Sequence, residues 1–284
     1  MSVSQSGEFV IARSSADPLR IRRLGFGAMR ITGPGIWGDP PDKGRAITVL
    51  RRAVELGITF IDTADSYGPF VSEDLIREAL HPYEGLIVAT KGGLTRQGPD
   101  EWASVGRPEY LRQCVQMSLR RLGVERIDLW QLHRIDEAVP REDQFGVIKE
   151  MQSEGLIRHI GLSEVSVADV KQATEYFSVV TVQNLYNVGN RQSEALLTYS
   201  SENDMGFIPW FPLGNRELLA SDGPLAAIAK REGCTPSQVA IAWLLQHSPV
   251  MLPIPGTGDL AHLEENSEVV ELSEESMREL DSLA

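Results

Sequence analysis

Short apolar runs alternate with longer amphipathic stretches along most of the chain. The runs are residues 23–29, 59–64, 86–91, 128–133, 159–164, 179–186, 206–213 and 250–256. They are near-continuously apolar rather than alternating, as in parallel strands covered on both faces. Between them, apolar positions recur at helical spacing. Over 43–57, Ala46, Val49, Leu50, Ala53 and Val54 share one face, and Gly57 suits the residue after a helix. Pro108 suits a first helical position ahead of Leu111, Val115, Leu119 and Leu122, with Gly123 closing the helix. Ser166 can cap a helix carrying Val167, Val170, Ala173 and Phe177. Thr235 and Gln238 form a capping box with Pro236 at the first helical position. Further helices are predicted near 72–80, 143–155, 191–202, 224–232 and 273–283.

Eight strand–helix alternations predict an α/β fold, a (β/α)8 TIM barrel in a single domain. The rival, a doubly wound open sheet, would show a GxGxxG turn between an early strand and a helix. The early glycines stand at 25, 27, 33 and 35, the wrong spacing, and no helical pattern starts there. No Pro/Ser-rich linker divides the chain. Residues 1–20 read as an N-terminal appendage able to form a hairpin across the barrel floor, and 21–284 as the barrel.

Charge and cysteine usage narrow the setting. With 27 basic and 40 acidic residues the net charge is −13, against the basic face of a nucleic-acid binder. Cys114 and Cys234 form no CxxC pair, so a disulfide framework is not expected. The first residues lack the pattern of a signal peptide, and no apolar run approaches the ~18 residues of a membrane span. The expectation is a cytoplasmic monomer or weak homo-oligomer with no nucleic-acid or membrane partner.

In a barrel, chemistry sits at the C-terminal ends of the strands. Asp62 ends the second apolar run, and Tyr67 follows in DTADSYG. Lys91 ends the third run and His133 the fourth. Taken singly, each has an ordinary explanation as a turn residue, a packed ring, a solvated tip or a satisfied core histidine. Their convergence changes that, because a lysine closing an apolar strand needs a counter-charge and Asp62 is the nearest candidate. A phenol ionises near pH ~10, too high for efficient acid catalysis near neutrality. A neighbouring ammonium is expected to lower that by roughly 1–3 units. The set suits protonation of a carbonyl oxygen. It supplies no nucleophile and no metal cage, so a separate group must attack the carbonyl carbon.

The stretches GITFIDTADSYG…SEDLIREAL, IVATKGG, LWQLHRID, IRHIGLSE, VQNLYN, WFPLG and IPGTGDLAHLEEN resemble the signature segments of the aldo-keto reductases, in family order over about residues 20–284. LGFGAMRITGPGIWGDP and IPGT are most similar to the bacterial branch that includes pyridoxal reductases. The resemblance implies a barrel that binds a nicotinamide cofactor without a Rossmann fold. It implies a catalytic tetrad of Asp62, Tyr67, Lys91 and His133, with Tyr67 as proton donor. Ser163, Glu164 and Gln183 match the positions that hold the nicotinamide carboxamide. Glu164 departs from the family asparagine and is expected to bring negative charge near the ring. Trp210 matches the stacking aromatic, and Phe211, Pro212, Leu213 and Gly214 the pyrophosphate loop. Met29 and Ile254 are further expected contacts. Gly256, Thr257, Gly258 and His262 match the adenosine 2′-phosphate site, and Glu265 and Asn266 the adenine site. NADPH/NADP is the expected cofactor because related bacterial sequences carry the same IPGT form, while Gly256 and His262, standing where a lysine and an arginine are common, make NADH use compatible.

Trp37, Trp102 and Arg134, with Tyr67 and His133, are the expected substrate contacts. An open site for a small or aromatic aldehyde or ketone, pyridoxal among them, is expected, because the last helical pattern runs to the final residues. The alternatives from other classes are a cofactor-sensing regulatory subunit with little turnover and a barrel lyase or isomerase acting on a sugar phosphate.

Overall fold

The computed structural model describes residues 2–283. A hairpin of β1 (Glu8–Ile11) and β2 (Leu19–Arg22) comes first. The barrel strands follow as β3 (Phe26–Gly27), β4 (Phe60–Asp62), β5 (Ile87–Gly92), β8 (Ile127–Leu132), β9 (Ile157–Ser163), β10 (Val179–Leu185) and β11 (Gly206–Trp210). They pair in parallel, in the order β3-β4-β5-β8-β9-β10-β11. A second hairpin, β6 (Leu94–Gly98) with β7 (Glu101–Ser104), leaves the end of β5.

The eighth apolar run is a correction. Residues 250–256 form no strand, only an isolated bridge between Met251 and Phe207. Pro253 and Pro255 lack the N–H groups a ladder needs. The run still closes the ring. Phe207 N donates to Val250 O (2.9 Å) and Leu252 N to Phe207 O (2.8 Å), while Gly25 N donates to Pro253 O (2.9 Å).

The helices are α1 (Lys43–Glu55), α2 (Val71–Leu80), α3 (Pro108–Leu122), α4 (Arg141–Ser153), α5 (Val167–Ala173), α6 (Glu194–Glu202), α7 (Arg216–Leu219), α8 (Ala226–Glu232), α9 (Pro236–His247), α10 (Leu260–Ser267) and α11 (Glu274–Asp281). Their ends follow the capping chemistry of the sequence. Ser166 and Thr235 both form complete capping boxes, and Gly123 ends α3 at φ 73°. α5 stops at Ala173, four residues short of Phe177, which packs edge-on against Phe145 instead. Rings such as Trp130, Phe145 and Phe207 are fully buried between strands and helices. Each such side chain contributes about 1.5–3 kcal/mol relative to exposure.

The first hairpin covers the N-terminal ends of the strands. Phe9, Ile11, Leu19 and Ile21 are buried, and the Phe9 ring packs near Gly206 at the start of β11. Arg22 N donates to Thr59 Oγ1 (2.8 Å), and His159 Nε2 lies 2.7 Å from Asp17 O. With this end plugged, the barrel opens at the other.

Candidate active site

At the C-terminal ends of the strands lies a cavity of about 660 Å³, a size that suits a bound small molecule. Lys91, fully buried on β5, lies behind the wall that Asp62 and Tyr67 form. Its Nζ donates to Asp62 Oδ2 at 2.6 Å, to Thr63 O at 2.8 Å and to Tyr67 Oη at 3.3 Å. Asp62 Oδ1 accepts from Gln131 Nε2 (3.2 Å) and Gln183 Nε2 (2.9 Å). The carboxylate therefore has three side-chain donors, which is what keeps a buried charge tolerable.

Backbone bonds hold Tyr67 in place. Thr63 N donates to Ala89 O and Asp65 N to Lys91 O, tying the loop after β4 to β5. Gly68 then turns at φ 102°, where a Cβ would lie 2.4 Å from that of Val71, so only glycine fits. His133 follows β8, its backbone N–H donating to Gly92 O (2.9 Å). Its Nδ1 lies 3.3 Å from Ser66 Oγ, and its ring meets Tyr67 edge-on at 5.9 Å. The structure thus brings Asp62, Tyr67, Lys91 and His133 together at one mouth.

The electrostatics differ from expectation at one group. Burial pushes the Tyr67 phenol above its ordinary value. Lys91 opposes that and Asp62 adds to it, so the expected lowering is absent. Burial alone would lower the Lys91 ammonium, but Asp62 and Tyr67 outweigh it and hold its pKa above the usual lysine value. Burial, then Lys91 and Arg134, drive His133 well below the ordinary histidine range, so its ring is neutral at pH ~7.

Beside this group, Ser163 and Gln183 stand in register across β9 and β10. Arg134 Nη1 donates to Ser163 Oγ (3.0 Å), which leaves the serine O–H free to donate elsewhere. Gln183 gives its amide N–H to Asp62, which leaves Oε1 as an acceptor. One donor beside one acceptor matches a primary amide, and the Trp210 indole lines the same cavity.

Glu164 requires a correction. Its carboxylate is absent from the cavity wall. With its backbone at φ 55°, Oε1 accepts from Leu185 N (2.8 Å) and from Trp210 Nε1 (2.5 Å). The indole N–H, a donor without accepting capacity, needs a partner and takes this one. Glu164 thus supports Trp210 and is not placed to meet a carboxamide.

Met29, Phe211, Pro212, Leu213, Gly214, Ile254 and Gly256, expected as cofactor contacts, line the cavity, joined by Leu219 and by Arg30, Leu94 and Ser104, the last three of which the sequence reading did not single out. The segment 257–266 lies outside its wall. Asp259 caps α10, accepting from Ala261 N and His262 N, and pairs with Arg45 of α1. Thr257 Oγ1 accepts from Asp259 N (3.0 Å), and Glu265 Oε1 from Thr235 Oγ1 (2.7 Å). Asn266 is buried and His262 exposed. The amides of Ala261 and His262 at the helix start thus already hold a carboxylate.

Trp102 lines the cavity, edge-on to Tyr67 at 6.5 Å. Trp37, expected as a substrate contact, is not on its wall. The Arg96 guanidinium lies between the two indoles, 3.6 Å from the Trp102 ring and 5.7 Å from that of Trp37. Arg96 also donates to the carbonyls of Gly35, Ile36, Ser66, Gly98 and Glu101, fastening the β6–β7 hairpin to the Tyr67 loop. Among the described residues no cluster of His, Cys, Asp and Glu could hold a metal ion, and no helix is long and apolar enough to cross a membrane.

Residues 23–284 match the model of the aldo/keto reductase family. The chain belongs to the aldo/keto reductase family. It is 57% identical over 263 residues to an uncharacterized oxidoreductase of Schizosaccharomyces pombe, covering 92% of this chain and 86% of that one. It is 42% identical over 273 residues to pyridoxine 4-dehydrogenase of Escherichia coli, covering 93% and 95%. An aldo-keto reductase of Klebsiella pneumoniae, solved with NADPH, superposes with a TM-score of 0.80 at 22% identity, over 98% of this chain and 95% of that one. The protein is an NAD(P)H-dependent oxidoreductase on a (β/α)8 barrel, and its amide-matching pair fits a nicotinamide carboxamide.

Proposed function

We propose that this aldo/keto reductase reduces small or aromatic aldehydes and ketones, pyridoxal among them, to alcohols at the expense of NADPH. The observation that carries the reading is the Lys91 ammonium lodged between Asp62 and the Tyr67 hydroxyl. The reduced nicotinamide, when bound, supplies a hydride to the carbonyl carbon. Ser163 and Gln183 would hold its carboxamide and Trp210 would back its ring. The carbonyl oxygen is held by Tyr67 Oη and by the neutral His133 ring.

Tyr67 is the proton donor. Its raised pKa keeps the proton on the phenol while the site is at rest. As negative charge grows on the carbonyl oxygen the proton crosses to it, and Lys91 stabilises the phenolate left behind. Asp62 keeps Lys91 charged and aimed. The same phenolate accepts the proton in the reverse direction, alcohol oxidation, in line with the name of the E. coli relative. NADPH is supported by the ligand of the Klebsiella structure. Gly256 and His262, in place of basic residues, keep NADH as the second choice.

The test is loss of nicotinamide absorbance with a panel of aldehydes that includes pyridoxal. Tyr67→Phe is expected to lower turnover by roughly 10²–10⁴-fold while NADPH binding, read by fluorescence, persists. Full turnover in Tyr67→Phe would refute the role given to the phenol.

A further inference from the structure

Arg134 follows His133 directly and lines the cavity, half-buried. Neither of its hydrogen-bond partners is charged. Nη1 donates to His133 O at 2.6 Å and to Ser163 Oγ at 3.0 Å. Both protons of Nη1 are thereby used, and the plane of the guanidinium is fixed. Nε and Nη2 have no partner among the described residues. They form one edge of the guanidinium, with parallel N–H groups at the spacing of two carboxylate or phosphate oxygens.

The rest of the lining makes that edge conspicuous. Asp62 is the one carboxylate on the cavity wall, and Lys91 and two glutamines saturate it. Glu164, the nearest other candidate for pairing, is turned to Trp210 and Leu185. A protein of net charge −13 therefore presents an unpaired guanidinium edge at its reactive mouth, with Glu164 acting on it through space but not bonded to it. Arg134 lines the same cavity as Tyr67 and His133, so the guanidinium stands near the place where the carbonyl is held; burial lowers its pKa, opposed by Glu164 and Tyr67. A half-buried guanidinium edge with no hydrogen-bond acceptor suits a ligand anion.

We propose that the free Nε–Nη2 edge of Arg134 binds an anionic oxygen group, carboxylate or phosphate, on the carbonyl substrate. The favoured substrates are then acidic aldehydes rather than their neutral counterparts. Trp102 and Leu219, which line the same cavity, take the apolar body between the two polar ends. The inference rests on the carbonyl-reductase reading above for the identity of the ligand as substrate. The anion site itself is independent of turnover.

Two measurements separate the two. On the NADPH-loaded protein, calorimetry compares benzoate with benzamide, a neutral ligand of the same shape. Benzoate is expected to bind at least roughly tenfold tighter, as for a charge-assisted bidentate contact. Arg134→Gln is expected to bring the ratio close to one, and Arg134→Lys to keep part of it. Initial rates then compare carboxybenzaldehydes with carbamoylbenzaldehydes, and pyridoxal 5′-phosphate with pyridoxal, which tells carboxylate from phosphate. At least one acid should exceed its neutral partner roughly tenfold in kcat/KM, mainly through KM. Arg134→Gln should bring the acid-to-neutral ratio of kcat/KM close to one, whatever the loss of its bond to Ser163 does to both rates together. Equal binding of benzoate and benzamide to the wild-type protein overturns the proposal. So does an Arg134→Gln variant that loses acidic and neutral substrates alike together with NADPH affinity, since Arg134 would then serve Ser163 alone. Tighter benzoate binding without reduction of any aldehyde would keep the anion site and overturn carbonyl reduction.

Discussion

The two ends of the barrel both carry ion pairs, and they use them differently. At the mouth, Lys91 and Asp62 meet with side chains 0% and 2% exposed. At the floor, Asp17 pairs with Arg126 and Arg158 while half of its own side chain is in water, and Arg158 is shared with Asp128. Water screens the floor pairs and hydrates either partner if the other is lost. No water does that for Lys91 or Asp62. The floor is closed by apolar burial of the hairpin, with charges trimming its edge. The mouth holds a charge where burial is costly, and only the surrounding donors make it stable. Comparable contacts thus mark a structural seam at one end and a reactive centre at the other.

Removing one partner at each end tests this contrast. Lys91→Met leaves the Asp62 carboxylate buried with two glutamine donors and no cation. A loss of about 3–5 kcal/mol is expected in urea unfolding, along with turnover. Adding Asp62→Asn keeps an acceptor for Gln131 and Gln183 and removes the stranded charge. Most of the stability should return and none of the turnover. Recovery of activity in the double variant would mean that the buried pair is scaffold rather than chemistry.

The mouth holds a second buried carboxyl, and its effect is smaller. Asp65 is pushed up to about 7, first by burial and then by Glu73, against opposing contributions from Cys114, Arg121 and the Ser66 amide. Its Oδ1 has no partner. The folded protein therefore keeps a proton that the unfolded chain releases near pH ~4. This contribution to stability is full below that value, falls as pH climbs to about 7, and is flat above. The expected fall is a few kcal/mol at most, at ~1.4 kcal/mol per unit. Urea midpoints at pH about 5 and about 8 should differ in the wild type and converge in Asp65→Asn. An unchanged difference in the variant would assign the slope to another group.

Much of this was legible in the sequence. Strands covered on both faces read as continuous apolar runs, so seven of the eight predicted segments are strands. The eighth reads the same by hydropathy, yet Pro253 and Pro255 deny it a ladder. Asp62, Lys91 and His133 were legible because a charge or an imidazole at the end of an apolar run is conspicuous. The Glu164 position misled because adjacency to Ser163 says nothing about direction, which a left-handed backbone and a distant indole decide. The β6–β7 hairpin left no signal, since TRQGPDEWAS has no apolar alternation. The Arg45–Asp259 pair joins residues 214 positions apart, beyond any local pattern.

The smallest effect expected is at the floor. Asp17→Ala removes a carboxylate shared by two arginines, but Arg158 keeps Asp128 at 2.8 Å, and Arg126 is half exposed and passes to water. His159 bonds the Asp17 backbone carbonyl, which the substitution leaves in place. The expected loss is below about 1 kcal/mol, shrinking further in ~1 M salt, with kcat unaltered because nothing at this end touches the cavity. A loss above about 2 kcal/mol that persists in high salt would show the floor charges to be coupled as tightly as those of the mouth, and exposure would then not be what separates the two ends.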